Sequence, residues 1–323
     1  MTQRINWKKG MRLTDEVLIA SDNCTAQAVK QSLMLASAGR FGLLPSMRPF
    51  QLSLNISAEQ VEVTTLDMLA LTQAGEVVDL TIGNGFSDSP ETRFPIPKDG
   101  NELFLTVNVQ PEAWTEDHEG FLKPEYFFAL ITPQTALSAH AVPIGHLLKE
   151  NGWQEDTHRF VPPCLYLSAH HYFDQQRIQM LDILKSIQEK TKLQAQSPVK
   201  TAISIYWPIV QQVFIRLNTE HETMTPAMLQ ACVQKVVGGF ALACEMDEVL
   251  TLEDSNMFFN FSQVPYNYQN NYLRIKQGIG MCRAIDEKID KFSLLNAAPV
   301  PPPPQPAPEP KPDPRRSWLG KKI

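Results

Sequence analysis

Along its first half the chain alternates apolar and polar residues; along its second half the apolar positions recur at helical spacing. Phe50-Gln51-Leu52-Ser53-Leu54-Asn55-Ile56, Glu76 to Ile82, Glu102 to Val109 and Tyr126 to Thr132 are period-2 runs, the signature of strands with one buried face. Ala74-Gly75, Gly83-Asn84-Gly85 and Lys98-Asp99-Gly100-Asn101 supply turn chemistry between them. The pattern predicts an antiparallel β-sandwich within an α+β fold, with one early helix from Asp15 to Ala38, capped by Thr14 and closed by Gly39. After Pro162-Pro163 the spacing predicts four helices: Ser168 to Gln194, Thr201 to Leu217 with a kink at Pro208, Thr225-Pro226 to Leu250, and Asn267 to Phe292. Four such helices predict a helical bundle.

Composition adds a third region. Of 25 prolines, ten lie between Pro299 and Pro314, so residues 296–323 read as a disordered Pro-rich tail with polyproline character. From Glu309 onward the tail carries five basic and two acidic residues, a net +3, which leaves −9 on the rest of a chain whose total is −6. The domains predicted are thus 1–165 (β-rich), 166–295 (helical bundle) and 296–323 (tail). An acidic body argues against nucleic acid as a partner. No uninterrupted apolar run reaches the roughly 18 residues that a bilayer span needs, so no transmembrane insertion is expected. Cys24, Cys164, Cys232, Cys244 and Cys282 are far apart and mostly among apolar neighbours, which predicts buried, reduced thiols and a cytoplasmic location.

Little in the sequence asks for catalysis. His170-His171 would point about 100° apart on a helix and cannot chelate one ion from one face, while His170 and Asp174 form an i,i+4 pair suited to a helix surface. Cys164 lies in an apolar run and reads as a neutral thiol, not as a nucleophile partnered by His170 or His171. Gly83-Asn84-Gly85 and Gly238-Gly239 lack the lysine and glycine spacing of a phosphate loop. Glu112, Glu116, Asp117 and Glu119 around Trp114 read as a solvated loop. We therefore expect no catalytic residues, no metal and no cofactor, and a non-enzymatic structural protein.

Several short motifs, in order, resemble one family. Trp7-Lys8-Lys9-Gly10-Met11-Arg12-Leu13 is similar to the W-x-x-G-M-x-L start of the type VI secretion baseplate subunit TssK. Arg40-Phe41-Gly42-Leu43-Leu44 matches its R-[YF]-G-[WL]-L, and Phe160-Val161-Pro162-Pro163-Cys164-Leu165 its F-I-P-P-C-L run. Thr225-Pro226-Ala227-Met228-Leu229 echoes its H-P-E-x-L-Y helix opening, and Val264-Pro265-Tyr266-Asn267-Tyr268 its P-x-Y-D-H segment. Thr225 stands where the family has histidine, and Asn267-Tyr268 where it has Asp-His. Members usually continue past the bundle into a C-terminal head domain, whereas this chain turns to proline.

The resemblance implies a homotrimer with a β shoulder similar to phage receptor-binding proteins and a helical neck. It would dock on a wedge of TssF and TssG subunits and link it to a membrane-associated complex at the cytoplasmic face of the inner membrane. Trp7, Gly10, Met11 and Leu13 become candidate wedge contacts, although Trp7 serves equally well as a pin for the N-terminus. Arg40, Phe41, Gly42, Pro162, Pro163, Pro226, Pro265 and Tyr266 become structural motif positions. In the tail, Arg315, Arg316, Trp318, Leu319, Lys321 and Lys322 become candidate contacts to a partner that replaces the head; an extension without a partner and weak attachment to an anionic membrane are the other readings. A generic trimeric phage-tail-like binding module remains the alternative function.

Overall fold

The computed structural model describes residues 11–12, 14–83, 91–98, 100–116, 122–193, 200–246 and 252–295. It opens with α1 (Asp15–Ser37), which begins where expected: Thr14 is extended and its Oγ1 accepts from the Val17 amide at 3.4 Å, with Asp15 and Glu16 in the first turn. The left-handed cap falls on Ala38, one residue before the predicted glycine, and its amide donates to the Leu35 carbonyl.

Among the described residues nine strands follow: β1 (Gly42–Leu43), β2 (Gln51–Ile56), β3 (Gln60–Leu71), β4 (Val77–Ile82), β5 (Arg93–Pro95), β6 (Glu102–Glu116), β7 (Leu122–Ile131), β8 (Ala141–Lys149) and β9 (Trp153–Glu155). All named strand pairs are antiparallel. In the first sheet β3 is the spine, with β1 and β2 along one edge and β4 and β5 along the other; the second sheet runs β7-β6-β8-β9. Alternate residues Met68, Ala70, Val78 and Leu80 of the first sheet share a core with Leu105, Val107, Val142 and Ile144 of the second, so the fold is the expected sandwich. Glu112, Trp114 and Glu116 fall on β6, correcting the reading of that stretch as a loop; Asp117 and Glu119 lie outside the described residues.

A short 3-10 turn (Leu167–Ala169) leads to α2 (His171–Leu193), α3 (Lys200–Thr219), α4 (Pro226–Met246), α5 (Leu252–Ser262) and α6 (Asn271–Leu295). Among the described residues five helices thus stand where four were expected, because α5 packs on α4 as a separate element. α3 runs through Pro208 as one helix. α2 packs on α3 and α6, and α4 on α3, α5 and α6. The bundle core joins Met180, Leu184, Val210, Val233, Val237, Phe240, Ile279 and Ile285. Pro226–Glu245 is long and apolar enough by composition to cross a membrane, a point the sequence reading missed, and 56% of it is buried inside the bundle. Gly238 and Gly239 permit this packing: a Cβ on Gly239 would stand 2.7 Å from Ile209 Cδ1, and one on Gly238 2.9 Å from Ser262 Cβ.

Candidate functional site

Four motif segments that are far apart in sequence meet where the sandwich joins the bundle. The Leu43 amide donates to the Pro163 carbonyl at 2.7 Å and the Leu165 amide to the Leu43 carbonyl at 2.9 Å, so β1 is bridged to the Pro162-Pro163-Cys164 segment in parallel. Gly42 has φ +121°, and a Cβ there would overlap the Pro163 carbonyl. Phe41 meets Tyr268 edge-on, centroids 5.4 Å apart at 73°. Arg40 Nε donates to the Ser37 carbonyl at 2.8 Å, tying the end of α1 to the same place. Beyond them the Leu167 amide donates to the Met224 carbonyl at 2.8 Å, while Thr225 Oγ1 accepts from the Met228 amide at 3.2 Å and caps the helix that Pro226 opens. Tyr266 accepts from Asn271 Nδ2 at 3.1 Å, and burial of its hydroxyl pushes its pKa up to about 12. Leu43, Val161, Cys164, Leu167 and Phe173 carry one apolar core from sheet to bundle without a break. Gln269 Nε2 adds an external stay, donating to the Pro133 carbonyl at 3.2 Å.

The groups that could have carried chemistry serve this joint. Cys164 is buried, its Sγ donates to the Pro162 carbonyl at 3.2 Å, and burial pushes its pKa well up, away from thiolate formation. His170 is not on a helix: it is extended, ahead of α2, and its ring stacks on that of His171 with centroids 4.9 Å apart. Burial and the neighbouring His171 push the His170 pKa down to about 4, and the ring leans on Phe50. The expected His170–Asp174 pair gives way to Asp174 with Arg177 Nε at 2.9 Å. Among the described residues no group of three or more His, Cys, Asp or Glu could hold a metal.

Two polar clusters went unread in the sequence. On the sandwich, Glu76 from the β3–β4 turn accepts from Lys30 Nζ on α1 at 2.6 Å and from Thr72 Oγ1 at 2.6 Å, and lies 2.8 Å from His140 Nδ1. Burial raises the Glu76 pKa, but the hydrogen bonds from Lys30, Thr72 and His140 outweigh it and hold the carboxylate below its usual range. At the opposite end of the second sheet His146 is buried between Glu102 Oε1 at 2.8 Å and Asp156 Oδ2 at 3.5 Å, its ring stacked on Phe104. Neither cluster has a sequence signature: Lys30 and Glu76 lie 46 residues apart and meet where α1 packs on the β3–β4 turn, and Glu102 and His146 lie 44 apart and meet through strand register.

Of the expected contact residues, Met11 is exposed; Trp7, Gly10, Leu13 and all of the tail positions, Arg315, Arg316, Trp318, Leu319, Lys321 and Lys322, lie outside the described residues. Exposed apolar residues lie on α1 (Leu18, Ile19, Val29, Leu35) and on α4 and α5 (Leu242, Met257, Phe259).

No family model and no curated protein sequence matches this chain. Solved structures do. A crystal structure of TssK superposes over 88% of this chain and 69% of its own, with a TM-score of 0.57 at 12% identity. A chain of the type VI secretion TssK-TssF-TssG baseplate subcomplex, determined by cryo-electron microscopy, superposes over 89% of this chain and 100% of its own, with a TM-score of 0.55 and again 12% identity. At that identity the likeness is one of fold. It takes in both the sandwich and the bundle.

Proposed function

We propose that the chain is a non-enzymatic structural subunit of a type VI secretion baseplate, a counterpart of TssK that joins a TssF/TssG-type wedge to a membrane-associated complex at the cytoplasmic face of the inner membrane. The observation that carries this reading is the shared fold over 88–89% of the chain, sandwich and bundle together. In it, residues 1–165 are the shoulder, 166–295 the neck, and the segment around Trp7, Gly10, Met11 and Leu13 meets the wedge. Three copies assemble through the neck; Leu242 and Phe259 are apolar side chains that α4 and α5 leave together on the surface for such a seam. Residues 296–323 make the outward connection.

Co-expression with TssF and TssG wedge subunits from the same genome tests the wedge contact; we expect a stable ternary complex that Trp7→Ala and Met11→Asp together weaken. Light scattering behind size exclusion tests assembly, with an expected mass three times the 36.4 kDa of one chain. A chain that stays at 36.4 kDa at micromolar concentration and leaves the wedge behind would defeat the proposal.

A further inference from the structure

α1 is the least supported element of the fold. Of its 23 residues only Ser37 is buried, and Leu35 is 82% exposed. Between the helix and the flank of the sandwich runs a groove of about 800 Å³, walled by Val29 and Met34 on one side and by Val77, Val109 and Pro124 on the other. Among the described lining residues the lysine, Lys30, is paired with Glu76, while Asp22 on the helix is exposed at the rim. The groove is thus largely apolar with Asp22 at its margin, and it suits a short segment that carries large apolar side chains beside cations.

The chain holds such a segment. Arg315-Arg316-Ser317-Trp318-Leu319-Gly320-Lys321-Lys322-Ile323 sets Trp318 and Leu319 between two pairs of cations, on a chain whose remainder is acidic. Length permits the contact. α6 starts against the sandwich, where Gln269 meets Pro133, and ends at Leu295, about 38 Å away at the helical rise of 1.5 Å per residue. From Pro133 to His140, whose ring meets Glu76 beside the groove, is at most about 24 Å of chain. The return path is therefore no longer than about 62 Å. Residues 296–317, at the 3.1 Å per residue of a polyproline helix, would span about 68 Å.

We propose that residues 315–323 dock in the α1 groove of their own chain, with Trp318 and Leu319 between helix and sandwich and the flanking cations facing Asp22. The docked tip covers the groove face of α1, and it keeps the tail against the body until a competing partner draws it out. The inference rests on the groove and the tail alone and does not require the baseplate reading.

The test uses the full chain with photoreactive benzoylphenylalanine in place of Leu319, prepared as a mixture of 15N-labelled and unlabelled protein. We expect crosslinks to peptides containing Val29, Met34 or Val77, formed within one chain. In a second sample Arg315, Arg316, Lys321 and Lys322 are all replaced by glutamate, and amide exchange in α1 should speed up at least tenfold. Crosslinks elsewhere on the chain, crosslinks only between labelled and unlabelled chains, or unchanged exchange in α1 would overturn the proposal. So would a protein that floats with phosphatidylglycerol vesicles through its tip and forms no groove crosslinks in their absence.

Discussion

The joint between sandwich and bundle and the first helix are neighbours, linked through Arg40, yet they are built in opposite ways. At the joint, backbone is fastened to backbone: Leu43, Pro163 and Leu165 exchange amide and carbonyl groups, a glycine is required, and Leu43, Cys164 and Leu167 are buried around them. α1, with one buried residue, is held by the Lys30–Glu76 ion pair, by Met34 over Gly75 and by Arg40 at its end. A joint of the first kind fixes two domains in one orientation. A helix of the second kind contributes little to global stability and opens at low cost, because most helix stability in proteins comes from tertiary packing of an apolar face and α1 packs little of one. The rigid region sets geometry and the loose one is placed to respond to a ligand.

The largest predicted effect strikes the joint. Gly42→Ala puts a Cβ into the Pro163 carbonyl at a φ that L-residues rarely adopt, and neither strand can withdraw without losing its hydrogen bonds. We expect a loss of at least about 4 kcal/mol in urea unfolding, or insoluble protein. A variant as stable as the parent would mean that the β1 bridge is dispensable.

Much of this joint was legible in advance, though not as a joint. Pro226 stood out as a proline at a first helical position and Pro162-Pro163 as the point where the pattern changes, whereas Gly42 stood out only through the family motif; the structure supplies its physical reason, a φ above zero. The helix from Asp15 was equally plain, since Thr14 and the acidic first turn are local signals. β8 was hidden: it is buried on both faces over Ala141–Leu147, so it does not alternate, and Pro143 and Gly145 within it mimic a turn. They are tolerated because the pairing with β6 shifts register between Leu105 and Thr106, opposite them. α5 was missed because its apolar residues continue the composition of α4. The Glu76 and His146 clusters could not be read at all, being products of strand register and loop placement.

A second glycine sharpens the contrast. At Gly75, φ +82°, a Cβ would stand 2.6 Å from Met34 Cγ and 2.9 Å from the Lys30 carbonyl. The conflict has the same form as at Gly42, but here the obstacle is a loosely held helix that can swing away. Gly75→Ala should cost only about 1–2 kcal/mol, most of it backbone strain, and leave the sandwich and bundle intact. The check is hydrogen exchange: α1 amides should exchange faster while β3 and α4 amides are unchanged. Smaller again is Glu76→Gln, which keeps the shape of the hub but removes the charge facing Lys30 and His140. We expect about 1 kcal/mol and the same loosening confined to α1. If either variant destabilised the whole molecule, the helix would belong to the rigid part and the contrast would fail.

The gentlest probe is pH. Hydrogen bonds from Lys30, Thr72 and His140 hold the Glu76 carboxylate below its usual range against the effect of burial. In the detached state the group returns to the ordinary glutamate value of about 4.3. The detached state therefore binds more protons on the acid side, and the hub's contribution is complete above that value and lost as pH falls through the lower, attached one. Protonation also leaves Lys30 with no anionic partner in the hub. With the Met34 methyl group 13C-labelled, its resonance should move toward a solvent-exposed position as pH falls below about 4.3, before core methyls such as Met180 respond. In Glu76→Gln that early step should vanish, the methyl already sitting near its acid-side position at neutral pH. If Met34 and Met180 moved together, the helix and the core would be one cooperative unit, and the division between rigid joint and responsive helix would have to be abandoned.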